Sequence, residues 1–256
     1  MYLASLLTDP KFVQPVERFF HHADIRGALN LLQDRLPASA RILVVGGALR
    51  NLFIEVLHGR APVTRDIDIF VDGLDSGFPL GSLLQDQQFE RTDLKGVRWY
   101  PRGLDLAYDI GVLADFLVIR HGHLEPIPEN LLTGIDFSMN AILYDPQHQR
   151  LMERGCTAAI RDRMIDFNSR IIPDKRLMAY RILLMGHKTG FIFSEPVFQY
   201  VRNRLALETL TELKRLFTTK IGKTKAAIIM ESYTRLCRFH SYENYRVAHH
   251  SDNKRG

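Results

Sequence analysis

The chain has 256 residues, 46% hydrophobic and 25% charged, which fits one large or two small folded domains with an ample core. Its two cysteines, Cys156 and Cys237, stand far apart and outside any metal-binding spacing, which argues against a disulfide scaffold and for a reducing compartment, the cytoplasm. The net charge of +5 is uneven: residues 201–256 carry 12 Lys/Arg against 5 Asp/Glu, leaving the first 200 residues slightly acidic. That surplus reads either as a surface for a polyanion or as a solubilising helical face. No run of about 18 apolar residues occurs, and the N-terminus lacks a basic region followed by a long apolar core, so neither a membrane span nor a signal peptide is expected.

Residues 12–36 read as one or two helices, with Val13, Val16, Phe19, Phe20, Leu29, Leu31, Leu32 and Leu36 as apolar positions and Pro15 near a helix start. Ile42 to Val45 reads as a buried strand, Gly46-Gly47 as a turn, and Ala48, Leu49, Leu52, Ile54 and Val56 as the helix that follows. After the turn at residues 59–62, charged and apolar residues alternate from Arg65 to Val71. Asp66 and Asp68 therefore share one strand face, about 7 Å apart. Like charges that close repel unless a cation lies between them, and hard carboxylate oxygens favour Mg2+. The side-chain-free Gly46-Gly47 backbone and the helix start beside it form a place for phosphate. The pattern predicts a metal–triphosphate site.

Further along, Asp72 to Leu80 reads as turn-rich and residues 81–90 as a short helix. Trp99-Tyr100, flanked by Arg98 and Arg102, reads as core or turn packing rather than a base-stacking platform. Val112 to Arg120 reads as a mostly apolar strand that carries Asp115, a carboxylate that is costly there unless paired or metal-bound. Beside Asp66 and Asp68 it supplies a third carboxylate on an adjacent strand, enough to hold two Mg2+ ions about 4 Å apart. Asp109 takes this place if the strand register differs. The pairs His121/His123 and His249/His250 lack the further ligands that zinc requires. Ala141 to Tyr144 reads as a strand, residues 155–163 as a turn and short helix, and residues 174–187 as a helix with Leu177, Tyr180, Leu183 and Leu184 near one face. From Glu195 to about Phe239 the chain reads as all-helical, and 241–256 as a basic, disordered tail.

These motifs, in this order, resemble those of the bacterial-type (class II) tRNA CCA-adding enzymes and poly(A) polymerases, within the polymerase-β-like nucleotidyltransferase superfamily. Gly46, Gly47, Arg50 and Asn51 match the family's opening Gly-Gly-x-x-Arg-Asp, and Arg65, Asp66 and Asp68 match its basic residue plus Asp-x-Asp. Asp115 and Arg120 fall on the Glu and Arg of its next strand motif, and residues 134–141 resemble its Arg-Arg-Asp-Phe-Thr-x-Asn-Ala segment. The spacer has the family's look too, with Leu143-Tyr144-Asp145-Pro146, then Gly155, then Arg163-Met164-Ile165. The similarity covers roughly residues 40–195.

The resemblance implies an α+β fold, a polymerase-β-like nucleotidyltransferase head with a small mixed sheet over 1–150. A helical neck-like segment at 151–240 would wall the nucleotide cleft, and the tail would follow at 241–256. It implies a nucleotidyltransferase that uses two Mg2+ ions and an NTP, with Asp66, Asp68 and Asp115 as metal ligands. Gly46, Gly47, Arg50, Arg65, Asp136, Asn140 and Arg181 would serve the nucleotide, although Arg50 serves equally as an internal brace. An RNA 3′ end is the expected acceptor, through basic helical residues such as Lys214, Arg215, Lys220, Lys223 and Lys225. A protein or small-molecule acceptor, or a non-catalytic RNA- or nucleotide-binding relative, is the alternative. Departures motivate that alternative. Gly134 and Ile135 replace the two family arginines that serve the nucleotide, and Asp174, Lys175 and Met178 fall where the base-reading Asp and Arg belong. A one-residue shift would bring in Arg176 but lose Arg181. The family's tRNA-holding body and tail domains are not expected in this chain.

Overall fold

The strand read at residues 65–71 is an inner strand of an eight-stranded mixed sheet in the computed structural model, which describes residues 3–93, 95–169, 171, 175–203 and 207–252. The chain divides into two units, residues 1–161 and 162–256. The first contains β1 (Ser5–Leu6), α1 (Pro10–Phe20), α2 (Ala23–Gln33), β2 (Arg41–Val45), α3 (Gly47–His58), β3 (Asp66–Asp72), β4 (Gln88–Arg91), β5 (Val97–Tyr100) and β6 (Ala107–Val112). It continues through α4 (Leu117–Gly122), α5 (Pro128–Gly134), β7 (Ile142–Asp145), β8 (Arg150–Glu153) and α6 (Cys156–Arg161). The boundary falls at 161 rather than 150 because β8 and α6 complete this unit.

The strand order is β1-β8-β7-β2-β3-β6-β5-β4. Only β3 and β6 are parallel neighbours in it. Alternation on β3 sends Ile67, Ile69 and Val71 to one face, where all three are buried. Helices α1 to α3 cover that face, with Phe12 against Phe53 at 4.6 Å and Phe20 stacked on Tyr144 at 5.3 Å. Each such buried side chain contributes about 1.5–3 kcal/mol. Asp66, Asp68 and Phe70 take the other face. There α4 and α5 cover the β2–β7–β8 half, where Ile119, Leu131 and Leu132 meet Leu43, Val45, Leu143 and Met152. The Asp66 side chain stays 47% exposed.

Several local expectations change. Pro10, not Pro15, starts α1, and Asp9 caps it by accepting from the Lys11 amide at 2.9 Å. Pro15 sits inside the helix, which costs one backbone bond. Residues 80–84 form a 3-10 turn and residues 88–91 pair with β5, so no α-helix spans 81–90. The apolar run from Val112 to Arg120 is not a strand. β6 ends at Val112, a 3-10 turn spans Leu113–Asp115, and α4 follows. An apolar run fits a buried strand or a buried helix equally well, and here Leu113 and Ile119 fill the α4–α5 core.

The second unit pairs β9 (Met164–Ile165) with β10 (Ile192–Phe193) in parallel and adds α7 (Lys175–Thr189), α8 (Glu195–Asn203), α9 (Leu207–Ile221), α10 (Lys223–Cys237) and α11 (Tyr242–Asp252). Asp174, the expected start of α7, lies outside the described residues. The expected disorder of 241–256 is overturned over the span of α11. Tyr245 is buried there, accepts from the Phe193 amide at 3.0 Å, and packs against Phe198 at 5.0 Å. Tyr245 is the buried anchor of this largely polar helix, and Tyr242 adds a ring contact to Phe198 at 5.8 Å. Among the described residues no helix is long and apolar enough to cross a membrane.

Gly134 ends α5 where no side chain fits. A Cβ there would overlap the Phe116 ring and lie 2.9 Å from the Val118 Cβ. Gly134→Ala is expected to lower stability by about 1–3 kcal/mol through overpacking, read from the urea midpoint at unchanged slope. The control is Gly27→Ala on the exposed side of α2, where nothing lies within 4 Å of the new Cβ. It should gain up to about 1 kcal/mol from helix propensity. Equal effects of the two substitutions would contradict the packing account.

Candidate active site

The register of β3 and β6 decides which carboxylates meet. Asp68 stands opposite Asp109, and Asp66 opposite Ala107. Directly paired residues share a face, so Asp66, Asp68 and Asp109 lie on one face of two adjacent strands. The third carboxylate on that face is therefore Asp109, the alternative reading, while Asp115 lies in the turn after β6 rather than on the neighbouring strand. Asp115 sits beyond the end of β6 and accepts from Ser76 Oγ at 2.7 Å and the Gly77 amide at 2.8 Å. Burial pushes its carboxyl pKa up, but these two bonds, together with the charges of Lys95 and Arg120, hold it below the ordinary value. Asp115 is an anchor for the loop after β3. Arg120 stands exposed on α4 rather than on a strand.

The glycine turn meets the same carboxylates. Gly46 caps α3 with φ of +71°, a conformation that only glycine adopts without strain. Its amide donates to the Ile142 carbonyl at 3.2 Å, which fixes the turn against β7. A Cβ on Gly46 would lie 3.4 Å from Asp68 Oδ2, and one on Gly47 3.8 Å from the same atom. The Asp68 carboxylate thus rests against the start of α3, where the helix dipole favours negative charge. The glycine turn and the carboxylate face converge at this one residue. Arg65, one step before Asp66, is exposed, and its carbonyl accepts from the Ala107 amide at 3.1 Å to hold β3 and β6 in register.

Arg50 braces the site from below. It is 5% exposed, and its guanidinium donates to Asn51 Oδ1 at 2.9 and 3.2 Å and to Asn140 Oδ1 at 2.7 Å. Asn140 Nδ2 donates to Asp136 Oδ1 at 3.2 Å, and Asn51 Nδ2 to Thr64 Oγ1 at 3.1 Å. Burial pushes the Arg50 pKa down, while the charges of Asp68, Asp136 and Asp66 oppose that fall. This chain ties the segment before β3 to the segment before β7, so Arg50, Asp136 and Asn140 join the structural frame under the carboxylates. Of the two roles open to Arg50, the brace is the one this burial and bonding support.

The sequence names Arg98 only as a flank of Trp99-Tyr100, not as a partner of the carboxylates. On β5 it stands opposite Asp109, with Nη1 donating to Asp109 Oδ2 at 3.1 Å and Nη2 3.8 Å from Asp66 Oδ2. The signal was present as alternation, since Val97 and Trp99 are buried while Arg98 and Tyr100 face outward. Trp99 packs on Tyr108 at 5.3 Å, as the core reading expected.

Among the described residues no three carboxylate, histidine or cysteine groups are gathered into a ready-made metal cluster. The donor set nonetheless fits a hard divalent ion in kind and in face. Asp109 Oδ1 is buried without a hydrogen-bond partner. Burial raises the Asp109 pKa, Arg98 pulls it back and Asp66 adds to the rise. A cation would relieve that oxygen. Arg181 stands exposed on α7 in the second unit, where Met178 is buried.

No family model matches the chain, and no curated protein sequence matches it at a significant level. Solved structures do. A CCA-adding enzyme with ATP aligns at 17% identity and a TM-score of 0.57, covering 91% of this chain and 55% of that one. The Thermotoga maritima CCA-adding enzyme complexed with tRNA gives 17% identity, a TM-score of 0.57 and the same coverage. The Bacillus stearothermophilus CCA-adding enzyme in complex with CTP gives 19% identity and a TM-score of 0.53, over 81% of this chain and 52% of that one. The chain thus spans about half the length of these proteins. With its eight-stranded mixed sheet and helical second unit, the chain has the fold of these CCA-adding enzymes.

Proposed function

We propose that the chain is a metal-dependent nucleotidyltransferase that moves a nucleoside monophosphate from an NTP to an acceptor hydroxyl, with an RNA 3′ end as the acceptor. The observation that carries this reading is the placement of Asp66, Asp68 and Asp109 on one sheet face, with Asp68 against the Gly46–Gly47 turn. Those three carboxylates would hold Mg2+, which supplies charge neutralisation on the triphosphate and lowers the pKa of an attacking hydroxyl. The Gly46–Gly47 turn and the first amides of α3 orient phosphate oxygens, and exposed Arg65 lies beside them. The acceptor oxygen bonds to the α-phosphorus, the bond to the β-phosphate oxygen breaks, pyrophosphate leaves, and the hydroxyl proton passes to water. Positioning and fixed charge supply most of the rate.

Support for an RNA acceptor comes from the second unit. Lys214, Arg215 and Lys220 on α9 and Lys223 and Lys225 on α10 are all exposed. Lys223 and Lys225 stand in the first turn of α10, which has no acidic residue to offset them. The helix dipole opposes cations there, and a polyanion relieves that conflict. A second reading, a nucleotide- or RNA-binding protein without transfer, is favoured by Gly134 and Ile135. Both positions are core, so neither can serve a nucleotide as the family's arginines do.

Asp66→Ala and Asp109→Ala are each expected to lower transfer at least about 100-fold, the scale of losing one fixed charge-stabilising group. Asp115→Ala should keep the rate within a few-fold and lower stability by about 1 kcal/mol, because it removes loop hydrogen bonds only. Loss of transfer in Asp115→Ala with full activity in Asp109→Ala would reverse the assignment. Incubation with each labelled NTP, total RNA and lysate protein should place label on RNA. Label on protein alone contradicts the RNA acceptor, and binding of Mg2+–NTP without any transfer supports the second reading.

A further inference from the structure

The register lines up one residue per strand across the site: Val45 on β2, Asp68 on β3, Asp109 on β6, Arg98 on β5 and Glu90 on β4. Strand pairing thus delivers Arg98 to the carboxylates, and buried Val97 and Trp99 hold its backbone on either side. Its guanidinium donates to Asp109 Oδ2 at 3.1 Å and lies 3.8 Å from Asp66 Oδ2. Asp66 and Asp109 are also two of the three groups proposed to hold Mg2+. Arg98 and a divalent ion therefore draw on the same carboxylates and repel each other. Buried Arg50 acts on Asp68 and Asp66 as well. Its bonds to Asn51 and Asn140 fix it in the frame, so its charge is a constant background for whatever binds.

Arg98 is not fixed in that way. Its side chain is 36% exposed and faces Asp109 at 28% and Asp66 at 47%, and ion pairs this exposed are weak. A concentrated double charge outcompetes a delocalised single one for those oxygens. The guanidinium fork matches phosphate as well as it matches carboxylate, so a triphosphate brought in with the metal offers it a replacement partner. We propose that Arg98 exchanges partners: it yields Asp66 and Asp109 to the divalent ion and turns to the triphosphate of the bound NTP, as a nucleotide-contacting residue. This inference rests on the metal-dependent reading above. The exchange gives Arg98 opposite effects on two binding steps. It weakens binding of the metal alone, because its ion pairs must break, and strengthens binding of the nucleotide once the metal is in place. A residue that only braced Asp109 would support both steps alike.

Two titrations of the full chain separate these cases. The first uses Mn2+ alone, read by electron paramagnetic resonance as loss of the free-ion signal. The second uses non-hydrolysable ATP and CTP analogues in saturating Mn2+, read by calorimetry. Arg98→Gln should bind Mn2+ about 5-fold more tightly than the unsubstituted protein, the scale of one exposed ion pair. It should bind the analogues at least about 10-fold more weakly, the scale of one hydrogen bond to a charged group. Unchanged or weaker Mn2+ binding overturns the exchange, and so does unchanged or tighter binding of the analogues. The reactivity of Arg98 toward phenylglyoxal, followed by mass spectrometry in the unsubstituted protein, needs no variant to fold. It should rise with Mn2+ alone and fall when an analogue is added, and the absence of either change overturns the inference while leaving metal-dependent transfer standing. An unsubstituted protein that binds no Mn2+, or binds Mn2+ but neither analogue, overturns the metal–NTP reading together with the inference.

Discussion

Repulsion among three carboxylates on one sheet face is the constraint around which the first unit is arranged. Asp66 and Asp68 share a face because strands alternate, and the parallel pairing of β3 with β6 adds Asp109 beside them. Such a group destabilises an empty fold unless positive charge surrounds it. Three sources of positive potential do so. The start of α3 faces Asp68, buried Arg50 lies beneath within an amide-lined network, and Arg98 spans Asp66 and Asp109 from β5. The fold keeps the carboxylates together and leaves their upper side open, as Asp66 at 47% exposure shows.

The same face has a second, apolar half. Leu43, Val45, Leu143 and Met152 carry the sheet into a core roofed by α4 and α5. Gly134 and Ile135, at the positions where the resembling family places nucleotide-serving arginines, are built into that roof. Gly134 lets α5 close on Phe116 and Val118, and Ile135 packs in the core beneath. Both positions are thus given over to packing.

Much of this was legible in the sequence. The strand–glycine turn–helix–strand order from residue 41 to 72 and the shared face of Asp66 and Asp68 follow from periodicity alone. The third carboxylate did not follow, because strand register is a tertiary fact that one sequence does not encode locally. The apolar run after Val112 looked like the better strand, yet it turns at Leu113 and becomes α4. Arg98 was hidden for the same reason, since only pairing with β6 brings it to Asp109. The helix α11 was missed because its composition is polar and a single buried ring, Tyr245, anchors it.

The account stands on one chemical claim, that the Asp66–Asp68–Asp109 face breaks an NTP between its α- and β-phosphates. Quantitative detection of pyrophosphate on adding Mg2+, an NTP and RNA to the purified chain addresses it most directly. The account predicts one pyrophosphate released per nucleotide incorporated, and none when Mg2+ is chelated. Release of inorganic phosphate in place of pyrophosphate, or pyrophosphate release that survives chelation, would contradict it.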